Sequence, residues 1–187
     1  MRTLELGPGE NPSMRGPDVT YLDIRQLDLP HLVVWDAENL PLPFPDNSFD
    51  LIIANAFLEH VSRFPRLMAD LHRILAPGGE LRAQVPHKDE ELRSGPYPEH
   101  YRMFSERTFR IFEDSYLPRW RILRMRTIRI FEYVLGRDQP GTVIRCVPLR
   151  KLFYLLYFLP CLFGRYEIHV AMTPVKDENR ISRRVAS

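Results

Sequence analysis

The sequence predicts an α/β fold: a mostly parallel sheet of seven strands, with helices reduced or missing on one of its faces. Three observations predict it. Short, continuously apolar runs recur between turn residues, the pattern of strands buried on both faces. The first four runs end in Gly, Asp, Asp and Asn, which aligns polar groups along one sheet edge. The gaps after the first and second runs are too short for the helix that normally joins parallel strands.

The first strand, Leu4-Glu5-Leu6, runs straight into Gly7-Pro8-Gly9. Glycines there let the chain turn tightly and approach a ligand without a Cβ in the way. Such a turn puts the ligand at the carboxyl edge of a parallel sheet, where α/β proteins bind nucleotides. Glu10, Asn11 and Pro12 stand where a dinucleotide fingerprint has its third glycine, which argues against NAD or FAD. Further strands are expected at Val19–Asp23, 31–36, Phe49–Asn55 and 80–86, the last entered through Leu75-Ala76-Pro77-Gly78-Gly79. Residues 62–75 read as a helix, because Phe64, Leu67, Met68, Leu71, Ile74 and Leu75 recur at helical spacing before the Gly78-Gly79 stop.

Ser105 is the expected N-cap of another helix, with Phe109, Phe112 and Tyr116 as its apolar stripe. Residues 120–131 read as a strand with a phase break. Trp120 and Ile122 fall on one face with Arg124 and Arg126, whereas Leu123 and Met125 fall on the other. A bulge near Ile122-Leu123 reconciles the halves. A loop at 136–142, a helix at 147–163 and a last strand at 166–173 complete a single domain over 1–175. The charged, small-residue tail at 176–187 is expected to be disordered.

Asn11-Pro12-Ser13 and Gly16-Pro17 break the space between Gly9 and Val19, and no regular helix fits between Asp23 and residue 31. The first strand begins at residue 3, so no helix is expected before it. Three covering helices are therefore missing or vestigial. Strands such as 50–54 remain apolar on both faces, and an exposed apolar patch of several hundred Å² is unusual for a monomer. The expected cover is the helix at 147–163 or a second copy of the chain, which makes a homodimer the expected assembly.

The order and endings of these runs resemble the class I S-adenosylmethionine-dependent methyltransferases. The matching segments are LELGPG, YLD, VVWDAENLPLPFPDNSFDLIIANAFLEHV and LHRILAPGGELRAQVPH. The resemblance implies a Rossmann-like sheet with an antiparallel last strand and S-adenosyl-L-methionine as cofactor. His87, the run from Gly95 to Ser105, Phe109, Phe112 and the apolar 148–174 stretch are similar to small, methyltransferase-11-like enzymes found among bacterial surface-polysaccharide genes.

The resemblance also implies roles. Gly7, Pro8 and Gly9 would lie against the methionyl part of the cofactor, with Glu5 receiving its ammonium. Asp23 would accept from both ribose hydroxyls, Asp36 from the adenine amino group, and the Ala37 N–H would donate to the ring. Asn55 would hold the methionyl amino or carboxylate group. An oxygen acceptor needs a base near neutral pH, and histidine suits that task. His87 and His100 are the leading candidates and His60 the third, with Tyr101 or Arg102 orienting the acceptor.

The implied activity is methyl transfer to a small molecule or glycan, at oxygen. An RNA or protein methyltransferase and a non-catalytic adenosylmethionine-binding module are the alternatives. Net charge is +2 over 187 residues, too small to point to nucleic acid. If the arginine-rich strand (Arg119, Arg121, Arg124, Arg126, Arg129) lines the acceptor cleft, it favours an anionic substrate. Cys146 and Cys161 lack partners at ligand spacing, so no metal or disulfide framework is expected. The apolar run 152–163 is about a dozen residues, short of the roughly twenty a span needs. A buried helix or dimer face is the expected reading of that run, and a helix on a membrane surface the alternative. The start of the chain lacks a basic region followed by an apolar stretch, so the cytoplasm is the expected location.

Overall fold

The computed structural model describes residues 1–89, 98–116, 118–130 and 165–176. Seven strands, β1 (Thr3–Leu6), β2 (Val19–Asp23), β3 (Leu32–Val34), β4 (Phe49–Asn55), β5 (Leu75–Pro86), β6 (Trp120–Ile130) and β7 (Arg165–Pro174), form one sheet in the order β3-β2-β1-β4-β5-β7-β6. The pairs among β1 to β5 are parallel, and β7 runs antiparallel to both β5 and β6. The expected antiparallel last strand is therefore observed. The expected helix at 147–163, the loop at 136–142 and the tail beyond Lys176 lie outside the described residues.

Among the described residues, no helix joins β1 to β2, β2 to β3 or β3 to β4. Helix α1 (Phe64–Ile74) follows a single 3-10 turn at Leu58–His60, and helix α2 (Glu106–Asp114) precedes β6. Pro65 sits in the first turn of α1, where its missing N–H costs nothing. Phe64, Leu67, Met68, Leu71 and Ile74 are all buried along one face, as their spacing predicts. Ser105 caps α2 through a reciprocal box with Thr108. Phe64 meets Phe104, Phe109 and Phe112 edge-on, at centroid distances of 5.2, 6.5 and 5.4 Å. This aromatic cluster joins both helices to the face carrying Leu4, Leu6, Ile52, Leu81, Val85 and Val170. Burying each such side chain contributes about 1.5–3 kcal/mol.

The connection from β3 to β4 is tied to α1 instead of forming a helix. Asp70 accepts from the Leu42 N–H at 2.6 Å and from Arg73 Nε at 2.6 Å. Arg73 in turn donates to the Phe44 and Leu42 carbonyls. Glu38 accepts from the Ser62 backbone N–H and hydroxyl just before α1. Strand β3 is shorter than the expected 31–36. His31 takes a left-handed conformation (φ 54°), and its neighbour β2 ends opposite Val34, leaving nothing further to pair. Strand β5 is longer than 80–86, because Leu75 already pairs with Phe49 before a register shift.

The second face has a different cover. Glu5 is 3% exposed, and its carboxylate accepts from the Ser13 N–H (2.7 Å) and the Met14 N–H (3.2 Å). Tyr21 is equally buried and donates its hydroxyl to the Met14 carbonyl at 2.7 Å. The loop from Gly7 to Asp18 thus lies over β1 and β2 where a helix normally would. The bulge in β6 also forms: Ile122 pairs with Met172 and Arg124 with Ala171, leaving Leu123 as the extra residue. Trp120, Ile122 and Met125 then face the helices, while Arg124 and Arg126 face the other side.

His72 of α1 packs edge-on against Trp120 at 5.5 Å. Burial, assisted by the Lys176 charge, lowers its pKa and keeps the ring neutral in the folded state. The unfolded chain therefore binds more protons near the ordinary histidine value of about 6.5. The contribution is complete above that value and is lost as pH falls through it toward the folded-state pKa. Unfolding in urea is expected to show stability decreasing as pH falls from about 7 to 5, with a shallower slope in His72→Gln. An unchanged slope in that variant would exclude His72 as the cause.

Candidate active site

Two cavities open at the carboxyl end of β4, one on each side of its last residues. The first is a cleft of about 280 Å³ bounded by Gly7, Asp23, Arg25, Trp35, Asp36, Ala37, Ala56, Phe57 and His60, among others. Four residues singled out from the sequence, Gly7, Asp23, Asp36 and Ala37, meet in it. They come from the ends of three neighbouring strands, brought together by the β1–β2 and β2–β3 registers.

Gly7 has φ +60°, and a Cβ built on it lies 2.5 Å from Phe57 Cδ2. The turn therefore needs glycine for both its conformation and the approach of the Phe57 ring. Asp23 is buried at the strand end and accepts from the Arg25 N–H at 2.9 Å and from Nε at 3.2 Å. Burial alone would raise this carboxyl. Hydrogen bonds from the Arg25 side chain, the Arg25 backbone and the Gly9 N–H outweigh that effect and hold its pKa below the usual range. Asp23 is thus an anion at the cleft edge, and Arg25 leaves its own guanidinium largely in solvent.

Asp36 turns its Oδ1 to the Glu38 N–H at 2.9 Å, which fixes the loop that carries Ala37. Trp35 Nε1 donates to the Asn39 carbonyl at 2.8 Å, and the ring stays partly exposed on the cleft wall. Ala56 follows β4 with φ 47°, held by its N–H donating to the Gln84 carbonyl at 2.9 Å. A non-glycine residue in that region costs of order 1–3 kcal/mol and tends to mark functional sites.

The other expected residues are dispersed. Pro8 and Gly9 belong to the turn without bounding either cavity, and Glu5 lies beneath it, holding the loop at Ser13 and Met14. Asn55 faces the second cavity and donates to Ser13 Oγ at 2.8 Å. His87 is buried, pairs through its backbone with Phe104, and bounds neither cavity. Its Nδ1 accepts from the Asp89 N–H at 3.2 Å, and its Nε2 lies 3.5 Å from Glu106. His60 and His100, by contrast, come together edge-to-face with centroids 4.8 Å apart.

A two-way clasp holds that pair. The Tyr101 N–H donates to the Glu59 carbonyl at 2.9 Å, and His60 Nδ1 lies 3.1 Å from the Glu99 carbonyl. A carbonyl oxygen only accepts, so Nδ1 carries the hydrogen, and in the neutral ring Nε2 holds the lone pair. The buried Glu59 side chain completes a group whose donor atoms with His60 and His100 lie within 4.8 Å of one another. Glu59 was missed from the sequence, as were Trp35, Ala56 and Phe57. Only Trp35 carried a signal, as the neighbour of Asp36.

A family model described as "Methyltransferase domain" matches residues 14–83. Demethylmenaquinone methyltransferase of Tropheryma whipplei is 36% identical over 92 residues, 42% of this chain and 38% of that one. Its counterpart in Listeria welshimeri is 33% identical over 58 residues, 31% of this chain and 25% of that one. A solved structure titled as a SAM dependent methyltransferase from Archaeoglobus fulgidus superposes with a TM-score of 0.63 at 18% identity, covering 92% of this chain and 85% of that one. The fold is that of a SAM-dependent methyltransferase, and residues 14–83 are similar to a methyltransferase domain.

The chain spans a quarter to two-fifths of the length of these curated methyltransferase relatives. The cofactor of such methyltransferases is S-adenosyl-L-methionine, and the cleft fits it. A glycine turn that admits no Cβ, a buried anionic carboxylate and a partly exposed indole supply a close backbone approach, a hydroxyl acceptor and an apolar wall. Gly7→Ala is expected to cost about 1–3 kcal/mol of stability through the left-handed residue and the displaced Phe57 ring. Adenosylhomocysteine binding should be lost with it. A variant that melts and binds like the parent would show that the turn needs neither.

Proposed function

We propose that the protein transfers a methyl group from S-adenosylmethionine to an oxygen of a small-molecule or glycan acceptor. The observation that carries this reading is the convergence of Gly7, Asp23, Asp36 and Ala37 on one cleft at the carboxyl edge of the sheet. When bound, the cofactor supplies a methyl group already activated on a sulfonium sulfur. The chain's own part is to hold the two reactants and to take a proton.

In this reading Asp23 accepts from the ribose hydroxyls, Asp36 and the Ala37 N–H hold the adenine, and the turn at Gly7, Pro8 and Gly9 lies against the methionyl part. Asn55, which bounds the second cavity next to Ala56 of the cleft, holds the methionyl amino or carboxylate group. Glu5 acts one layer below by fixing the turn.

His60 is the proton acceptor, with its Nε2 lone pair free of the Nδ1 contact to Glu99. His100 packs against its ring, and the Glu59 carboxylate stands beside both. His60 ranked third from the sequence, but it bounds the cleft and His87 does not. Nε2 would take the proton that the acceptor hydroxyl gives up when its oxygen receives the methyl group and the methyl–sulfur bond breaks. Positioning supplies the rest of the acceleration.

Calorimetry is expected to show adenosylhomocysteine binding, weakened by about 1–3 kcal/mol in Asp23→Ala through lost hydrogen bonds. Parent-like affinity in that variant would overturn the cofactor assignment. His60→Ala is expected to lower methyl transfer about 10²–10⁴-fold, while His87→Ala retains activity in the folded fraction. Full turnover of His60→Ala would leave positioning alone. Transfer should also survive a chelator; loss that zinc restores would make Glu59, His60 and His100 metal ligands instead.

A further inference from the structure

The second cavity, about 390 Å³, lies on the sheet face opposite the helices and carries a charge pattern the cofactor does not require. Two rows of side chains run across four strands on this face. Asn55, Gln84, His169 and Arg126 form one row, and Ile53, Arg82, Ala171 and Arg124 the next. All eight bound the cavity. The bulge at Leu123 is what puts Arg124 and Arg126 in these rows.

The floor is apolar, since Ile53 and Ala171 are buried. The wall is cationic. Arg82 forks onto Glu80 at 2.9 and 3.2 Å, and Arg124 reaches the same carboxylate at 3.6 Å. One carboxylate thus serves two guanidiniums. Glu167 is occupied by Gln84 at 2.6 Å and His169 at 3.2 Å. Among the described residues, no acidic side chain pairs with Arg126. Three guanidiniums around an apolar floor therefore leave positive charge unneutralised at the cavity wall.

Arginine is suited to this task because its planar fork donates two parallel hydrogen bonds to a phosphate or carboxylate. The cavity also adjoins the cofactor cleft, because Asn55 bounds one and Ala56, the next residue, bounds the other. We infer that this cavity binds an oxyanion, a phosphate or carboxylate, carried on an apolar portion of the methyl acceptor. The inference rests on the methyltransferase reading for the word acceptor; the anion site itself rests on the sheet face. Arg126 and Arg124 grip the anion, the Ile53–Ala171 floor takes the apolar portion, and the acceptor hydroxyl extends past Asn55 toward the first cleft.

Phenyl phosphate and benzoate are suitable probes, with benzyl alcohol as the neutral control. Calorimetry on the full chain without cofactor is expected to show saturable binding of an anionic probe and none of the alcohol. Affinity should fall at least tenfold in Arg126→Gln and further in Arg124→Gln/Arg126→Gln, and should decline with added salt. Both arginines are exposed, and a parent-like circular dichroism spectrum and melting transition verify that each variant is folded. Asp23→Ala should leave probe binding unchanged. No saturable anion binding, or binding indifferent to both arginines, would overturn the anion site even if adenosylhomocysteine still binds. Anion binding without adenosylhomocysteine binding would instead keep the site and remove the methyltransferase reading.

Discussion

The buried carboxylate of Glu5 is the interaction on which the rest of the site depends. A parallel sheet needs a crossover between β1 and β2, and this chain makes it without a helix. A helix would satisfy its own backbone donors and cover the sheet at the same time. The loop that replaces it has neither property by itself, so its N–H groups need a partner in the core. Glu5 provides one for Ser13 and Met14, and Tyr21 holds Met14 from the adjacent strand. The loop is thereby anchored over β1 and β2, and Gly7 begins it in the conformation that admits Phe57. The same principle recurs between β3 and β4, where Asp70, Arg73 and Glu38 fasten an irregular segment to α1 and its approach. Charged side chains do here what hydrogen-bonded helical turns do elsewhere.

Much of the fold is legible in the sequence because strands buried on both faces announce themselves. Val19–Asp23 and Phe49–Asn55 have the bounds their apolar runs suggest, and the missing helices follow from residue counts alone. The β6 bulge was legible for a related reason: a tryptophan and an isoleucine cannot share a face with two arginines over a whole strand. The ends of β3 and β5 were not. They depend on where neighbouring strands stop and on where Leu75 meets Phe49, which are facts of pairing.

The candidate site was legible where it sits at strand ends and obscure where it depends on loops meeting. Gly7, Asp23, Asp36 and Ala37 follow from the sheet's registers and share one cleft. The relation of His60, His87 and His100 does not follow from spacing. It depends on the contact between the Leu58–His60 turn and the Glu99–Tyr101 backbone, which gathers two histidines and leaves the third between Asp89 and Glu106. Glu5 illustrates the converse. Its place in the motif was visible, but a buried carboxylate that accepts backbone N–H groups looks the same in sequence as one that awaits a ligand.

The bulge at Leu123 means that the charge of this sheet's outer face is written in residue count as much as in residue identity. A strand has two faces and one alternation, so a single extra residue exchanges the faces of everything beyond it. Before Leu123, β6 sends its apolar residues to the core; after it, the arginines turn outward and methionine inward. Loss of the bulge with Leu123 kept would therefore exchange the two faces beyond it, a wholesale change that no single substitution reproduces. A lineage carrying this fold has a step of unit length between a neutral outer face and a cationic one. That step lies at the sheet's far edge, distant in sequence from the glycine turn, so the charge of that face can change while the turn stays as it is.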